Sequence, residues 1–168
     1  MYDELTEIDI QKMREEIDHR VRVLRPKLIE DVQAARAFGD LSENYEYKVA
    51  KQEKNRNESR IRYLERMIRT AKVIAPQSRG EGVVGLFDQV TAYNEKLGRE
   101  MTFRIVTTLR QDTGKGLISK ESPVGRSLLG KRVGDRVHIQ VNENYGYDAV
   151  IRSIEKGEDT GEIPLNRY

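Results

Sequence analysis

Two carboxylates three residues apart, Asp40 and Glu43, stand in a short break, Gly39-Asp40-Leu41-Ser42-Glu43-Asn44, between two stretches of helical periodicity. Acidic side chains at this spacing can supply oxygen ligands to a divalent cation. Mg2+ takes six oxygens in a tight octahedron and is usually held by one or two carboxylates together with waters and phosphate. Two acids on a turn are too few for a tight site of their own. They suffice to complete a site whose other ligands belong to a partner, where a second metal activates water for attack on a phosphodiester. A purely structural account uses the same residues. Gly39 ends the first helix in a left-handed conformation, Asp40 caps the second, and Glu43 stands three residues on, where a capping box places its acid. Capping and metal binding compete for the same oxygens, so metal work requires at least one of the two acids to be free of helix-end hydrogen bonds.

The elements that must position these acids are legible in the heptads. In the first arm Ile10, Ile17 and Leu24 form one seven-residue series and Val21, Leu28 and Ala35 the other. The second arm repeats the pattern with Ala50, Asn57, Leu64 and Ala71, and with Tyr47, Lys54, Ile61 and Ile68; its seam weakens toward the tip at Lys54 and Asn57. A connection of a few residues makes the arms antiparallel neighbours. With about 30 residues per arm at 1.5 Å rise, the hairpin is roughly 45 Å long. Pro26 removes one backbone hydrogen bond and should kink the first arm, at about 3 kcal/mol that seam packing must offset.

From 48 to 72 the second arm carries nine basic and three acidic residues, a net of +6. At about 100° per residue, Lys48, Lys51, Arg62, Arg66 and Arg69 share a stripe roughly opposite the Leu64 seam, a candidate nucleic-acid contact. Taken alone, such a stripe is equally the wet side of a helix.

Composition bounds the rest. The chain has 168 residues, 37% apolar and 7% aromatic, which is lean for one compact core and agrees with an elongated element. Charged residues make up 35% with a net of only +2, so any basic surface is local. There is no Cys, hence no disulfide or thiolate metal site, and a reducing cytosol fits. No segment reaches the roughly 18 apolar residues of a membrane span, and the first ten residues lack the apolar core of a leader. The expected location is cytoplasmic, without membrane attachment.

The expected fold class is α+β, with a coiled-coil hairpin over residues 1–75, a linker over 76–82, a small domain over 83–156 and a polar, mobile tail over 157–168. In the small domain, residues 83–93, 100–108, 136–141 and 147–154 alternate or run apolar and β-branched and predict four strands. Ser122-Pro123 is an N-cap followed by Pro at the first helical position, and Gly130 stops a short helix.

Two motif blocks carry a family resemblance. Ala35-Arg36-Ala37-Phe38-Gly39-Asp40-Leu41-Ser42-Glu43-Asn44-Tyr45-Glu46-Tyr47, with the upstream Arg25-Pro26 and the downstream Glu58-Ser59-Arg60-Ile61-Arg62-Tyr63-Leu64-Glu65, resembles bacterial transcription elongation factors of the GreA/GreB family. Leu117-Ile118-Ser119, the block from Ser122 through Lys131, and Gly134-Asp135-Arg136-Val137 resemble the same family's C-terminal domain, which is FKBP-like. The resemblance implies a monomeric factor that binds RNA polymerase and inserts its coiled coil through the secondary channel. There the polymerase cleaves the RNA 3′ segment extruded by backtracking, and the factor is not itself an enzyme. By motif, Asp40 and Glu43 help hold an Mg2+ shared with the polymerase, no cofactor being bound by the chain alone, and Ser122 and Pro123 meet the polymerase at the channel rim. Tyr45 departs from the usual Ala after the tip Asn, and Glu7-Ile8-Asp9-Ile10 replaces the usual Gly-containing opening of the first helix.

Two other functions use the same parts. A secondary-channel inhibitor would share fold and docking but not cleavage, and the retained Gly-Asp-Leu-Ser-Glu-Asn favours cleavage. A prolyl isomerase or chaperone would line an apolar groove with Phe87, Tyr93, Phe103, Tyr145 and Tyr147, although aromatics at strand spacing are more often core. His19 and His138 lie in different segments and form no catalytic pair.

Overall fold

The computed structural model describes residues 3–39, 44–75 and 80–167. The chain divides into two compact units. One is the hairpin from Ile10 to Ala71; the other joins Glu4–Asp9 to Lys72–Arg167. The hairpin expected over 1–75 therefore lacks Glu4–Asp9, which group with the second unit. An α+β architecture results, as the sequence predicts.

In chain order, strand β1 (Glu4–Leu5) precedes helix α1 (Glu7–His19), a π-helical turn (Arg20–Leu24) and helix α2 (Arg25–Arg36). The three helical pieces follow without a break. Pro26 explains the wide turn. It has no N–H to give and its ring crowds the carbonyl four residues back, and a π turn, closed by Arg25 N–H on the Arg20 carbonyl, widens the helix just before it. The expected disturbance at Pro26 takes this form.

Helix α3 (Tyr45–Thr70) runs back along α2 and buries Asn57, Arg60, Ile61, Leu64 and Met67, while α2 buries Val32 and Ala35. The seam does not weaken at Asn57. Its Nδ2 donates to the Arg20 carbonyl at 3.2 Å and its Oδ1 accepts from Arg20 Nη1 at 2.9 Å, so a polar seam residue recognises the π turn and sets the register of the arms. Two ion pairs flank it: Arg25 holds Glu58 in a fork at 2.7 and 2.8 Å, and Arg60 holds Glu16 at 2.7 and 3.2 Å.

The second unit pairs β1 in parallel with β2 (Lys72–Val73). A five-stranded mixed sheet follows, with β3 (Gln89–Asn94), β4 (Arg99–Val106), β5 (Leu117–Ser119), β6 (Arg136–Asn142) and β7 (Tyr145–Glu155) in the order β5-β4-β3-β7-β6. Alternation buries Val90 and Ala92 from β3, Val137 and Ile139 from β6, and Tyr147, Ala149 and Ile151 from β7 on one face, where Leu128 of helix α4 (Pro123–Leu128) covers them. Phe87 and Tyr147 are buried, and Phe103 and Tyr145 pack against the core, so these aromatics fill the domain rather than line a groove.

The strand predicted over 83–93 begins only at Gln89. Residues 85–88 turn instead, with Phe87 at φ 68°, because the buried Asp88 carboxylate accepts from Gly85 N–H at 2.7 Å, from Gly157 N–H at 3.0 Å and from Lys156. The three-residue β5 is too short for periodicity to show.

The tail has fixed partners despite its polarity. Asp159 forks onto Arg110 at 2.9 and 2.8 Å, and Asn166 N–H donates to the Leu109 carbonyl at 2.6 Å. Arg110 is fully buried and also approaches Asp9 Oδ1 with Nε at 2.8 Å, as an ion pair without hydrogen-bond alignment. Asp9 in turn closes a capping box at the start of α1: Thr6 N–H donates to its Oδ2 at 3.0 Å, and its own N–H donates to Thr6 Oγ1 at 3.3 Å. One guanidinium thus ties the first turn of α1 and the C-terminal tail into the second unit.

Candidate functional site

The tip acids Asp40 and Glu43 lie outside the described residues, as does any hydrogen bond they make. The ends they connect are well defined. Helix α2 winds down in tight turns, Phe38 N–H to the Ala35 carbonyl at 3.3 Å and Gly39 N–H to the Arg36 carbonyl at 3.4 Å, and Gly39 leaves at φ 112°, a conformation that favours glycine. Helix α3 starts at Tyr45 with Asn44 as its N-cap, extended at φ −79° and ψ 96°. The cap that spacing assigned to Asp40 therefore belongs to Asn44, whose Oδ1 accepts from Tyr47 N–H at 3.0 Å.

Asn44 has a second duty. Its Nδ2 donates to the Ala35 carbonyl at 2.7 Å, a shorter second bond to an acceptor that also takes Phe38 N–H at 3.3 Å. One amide thus bridges the C-terminus of one arm and the N-terminus of the other. Beside it the Arg36 guanidinium lies over the Tyr47 ring at 5.5 Å, a second link between the arms, and Lys51 adds a contact to the same ring at 6.0 Å. A hydrogen bond from Arg36 holds the Tyr47 hydroxyl below its ordinary value of 10.0. Neither Asn44 nor Arg36 stood out as a site residue in the sequence; the signal was present in Asn44 as a strong N-cap former directly before a long periodic run. Phe38 and Tyr45 flank the break and are both 76% exposed.

All five residues of the basic stripe, Lys48, Lys51, Arg62, Arg66 and Arg69, are solvent-exposed on α3. Lys48 and Lys51 border a shallow groove of about 460 Å³ with Gln52, Asn55, Arg56 and Ser59. Arg66 is folded over the Tyr63 ring at 5.6 Å. The stripe can therefore meet a polyanion along the outer side of the helix, with Lys48 and Lys51 nearest the tip.

Ser122 and Pro123 open α4. The Ser122 hydroxyl is committed locally, donating to the Ser119 carbonyl at 2.6 Å and accepting from Gly125 N–H at 3.1 Å. Pro123 occupies the first helical position and is exposed. Gly125 is buried where a Cβ would collide with the Ser119 carbonyl, which lets the short helix lie close against the end of β5. Ser122 therefore builds the loop, and Pro123 is the surface that the loop presents.

Comparison with known proteins joins these two sites to one lineage. The family model described as "Transcription elongation factor, N-terminal" matches residues 4–73, and the one described as "Transcription elongation factor, GreA/GreB, C-term" matches residues 79–156. Transcription elongation factor GreA of Geobacillus kaustophilus is 43% identical over 77% of this chain and 82% of its own. The protein of the same name from Oenococcus oeni is 36% identical over 92% of this chain and 95% of its own. Among solved structures, GreA factor homolog 1 of Thermus thermophilus aligns over 93% of this chain and 100% of its own at 24% identity, with a TM-score of 0.41. With both halves matched in order, and with the break at 39–44 and the Ser122-Pro123 loop inside the matched ranges, the chain belongs to the GreA/GreB family of transcription elongation factors.

Proposed function

We propose that this factor binds RNA polymerase, carries Asp40 and Glu43 through the secondary channel on its hairpin, and stimulates the polymerase's own cleavage of backtracked RNA. The observation that carries the reading is the identity of the α3 cap. Asn44 does the work that would otherwise account for an acid at position 40, so helix capping no longer explains why Asp40 is there. A carboxylate pair at the end of a two-helix arm is chemically suited to a shared Mg2+ site, in which the cation lowers the barrier to water attack on the phosphodiester. The chain's own contribution is to bring two oxygen ligands and to orient them. The exposed stripe on α3 supplies positive charge for the extruded RNA 3′ segment, and the loop ending in Pro123 supplies the contact with the polymerase. The protein acts as a monomer and cuts no RNA by itself.

The test is RNA shortening in stalled, backtracked complexes with polymerase from the same organism and Mg2+. The double substitution Asp40→Ala with Glu43→Ala should abolish stimulation and leave polymerase affinity unchanged. Full activity in the double variant would sink the reading.

A further inference from the structure

We infer that Asn44 is a positioning residue for the tip, closing its neck so that the acids it carries meet the polymerase in one geometry. This rests on the cleavage reading above and deepens it. An N-cap needs only a side-chain acceptor. Any short acceptor at position 44 satisfies the α3 cap, and Ser, Asp and Asn serve about equally well there. Asn alone of these three carries its acceptor and its donor on separate terminal atoms, and the structure uses both ends of the amide. Oδ1 takes Tyr47 N–H at 3.0 Å while Nδ2 reaches across to the Ala35 carbonyl at 2.7 Å.

The carbonyl it reaches is specific. Ala35 is buried in the seam, so this is the last point at which α2 is fixed by packing before the chain leaves through Ala37, Phe38 and Gly39, all exposed. On the other side, Asn44 is the first described residue after the tip, and its own carbonyl already accepts Lys48 N–H at 3.2 Å. The bridge therefore joins the last packed turn of one arm to the first turn of the other, and Arg36 over Tyr47 braces the same level. Without the bridge, the neck would be held by the Arg36–Tyr47 contact and the seam packing below it, with more freedom for the two helix ends. Two ligands to a shared cation tolerate little of that, since displacements of about 1 Å at a reacting centre can cost about 100-fold in rate.

Two substitutions separate the bridge from the cap. Asn44→Ser keeps an acceptor for Tyr47 N–H but is too short to reach Ala35. Asn44→Asp keeps the cap and turns an acceptor toward an acceptor. In both, backbone amide order parameters from NMR relaxation of the free protein should fall at residues 36–39 and 45–47, with the thermal midpoint little changed. In backtracked complexes, cleavage should fall about 10- to 100-fold, the Mg2+ concentration for half-maximal cleavage should rise, and polymerase affinity should stay within about twofold, because the docking loop is untouched. Unchanged order parameters at the neck, or a loss of cleavage fully accounted for by weaker polymerase binding, would overturn the inference. A wild-type protein that leaves the RNA uncut overturns the cleavage reading instead, because the neck measurement needs no polymerase.

Discussion

Arg110 offers the sharpest energetic test of the second unit. Its side chain and that of Asp9 are both fully buried, and Asp159 is 2% exposed, so one cation sits between two anions away from water. Arg110→Met matches its volume but removes the cation. Asp9 then keeps Thr6 N–H, Thr6 Oγ1 and Thr107 Oγ1, and Asp159 keeps Gly161 N–H and a share of Thr6 Oγ1, none of which carries charge. Removing one partner of a buried ion pair costs about 3–5 kcal/mol, and nothing here screens the two anions left behind. A unit of about 100 residues loses roughly 4–8 °C of midpoint per kcal/mol, so its calorimetric transition should fall by about 12 °C or more.

The larger part of that cost is the stranded charge rather than the net worth of the cluster, and a second variant tests this. Asp9→Asn, Arg110→Met and Asp159→Asn together leave no charge in this cluster and keep an acceptor for the Thr6 capping box. Replacing a buried ionic cluster by neutral groups of similar volume is often close to neutral, so the triple variant should recover to within about 2 kcal/mol of wild type. If Arg110→Met costs less than about 1 kcal/mol, or if the triple variant is as unstable as the single one, the accounting is wrong.

Two further outcomes follow from the same style of accounting. Asn57→Ala removes both seam hydrogen bonds to Arg20 and should cost the hairpin about 1–3 kcal/mol at roughly 0.5–1.5 per bond, read from its helical melting curve; a change below about 0.5 kcal/mol would mean the register is set elsewhere. Two groups, one in each unit, should also respond to pH in opposite directions. Burial pushes the Glu16 carboxyl up, but hydrogen bonds and charge from Arg60 and Arg20 outweigh it and hold the group below 4.5, so its contribution is present above that value and lost as pH falls through the lowered one. Hydrogen bonds to Gln140 and Asp148 raise His138 above 6.5, so its contribution is present below that value and lost as pH rises through the raised one. Glu16→Gln should flatten the acid limb of the hairpin melt and His138→Asn the alkaline limb of the domain melt; unchanged slopes in either variant would remove that residue from the account.

What could be read in advance was whatever depends on local periodicity. The heptads located Ile61, Leu64 and Ala35 in the seam, and Ser122-Pro123 located α4. What could not be read depends on partners far along the chain or on backbone geometry that hydropathy does not register. Asn57 scored as a weak seam residue because its partner is a carbonyl displaced by the π turn before Pro26. The tail scored as mobile because Asp159 is polar, while the buried guanidinium that receives it lies 49 residues away. Thr6 and Asp9, three residues apart at the start of a periodic run, are a capping box legible in the sequence.

The tip is the case where the distinction changes a conclusion. Asp40 and Asn44 are both good caps, four residues apart, and spacing alone cannot choose between them. The choice follows from what else each could bond. An ionised carboxylate can only accept, whereas an amide at 44 accepts from the start of α3 and donates to a carbonyl at the end of α2, and so serves both helices at once. Once Asn44 holds that position, the cap no longer explains an acid at 40 or another at 43. Their presence then calls for another explanation, and this is what ties the cap assignment to the metal chemistry proposed for the tip.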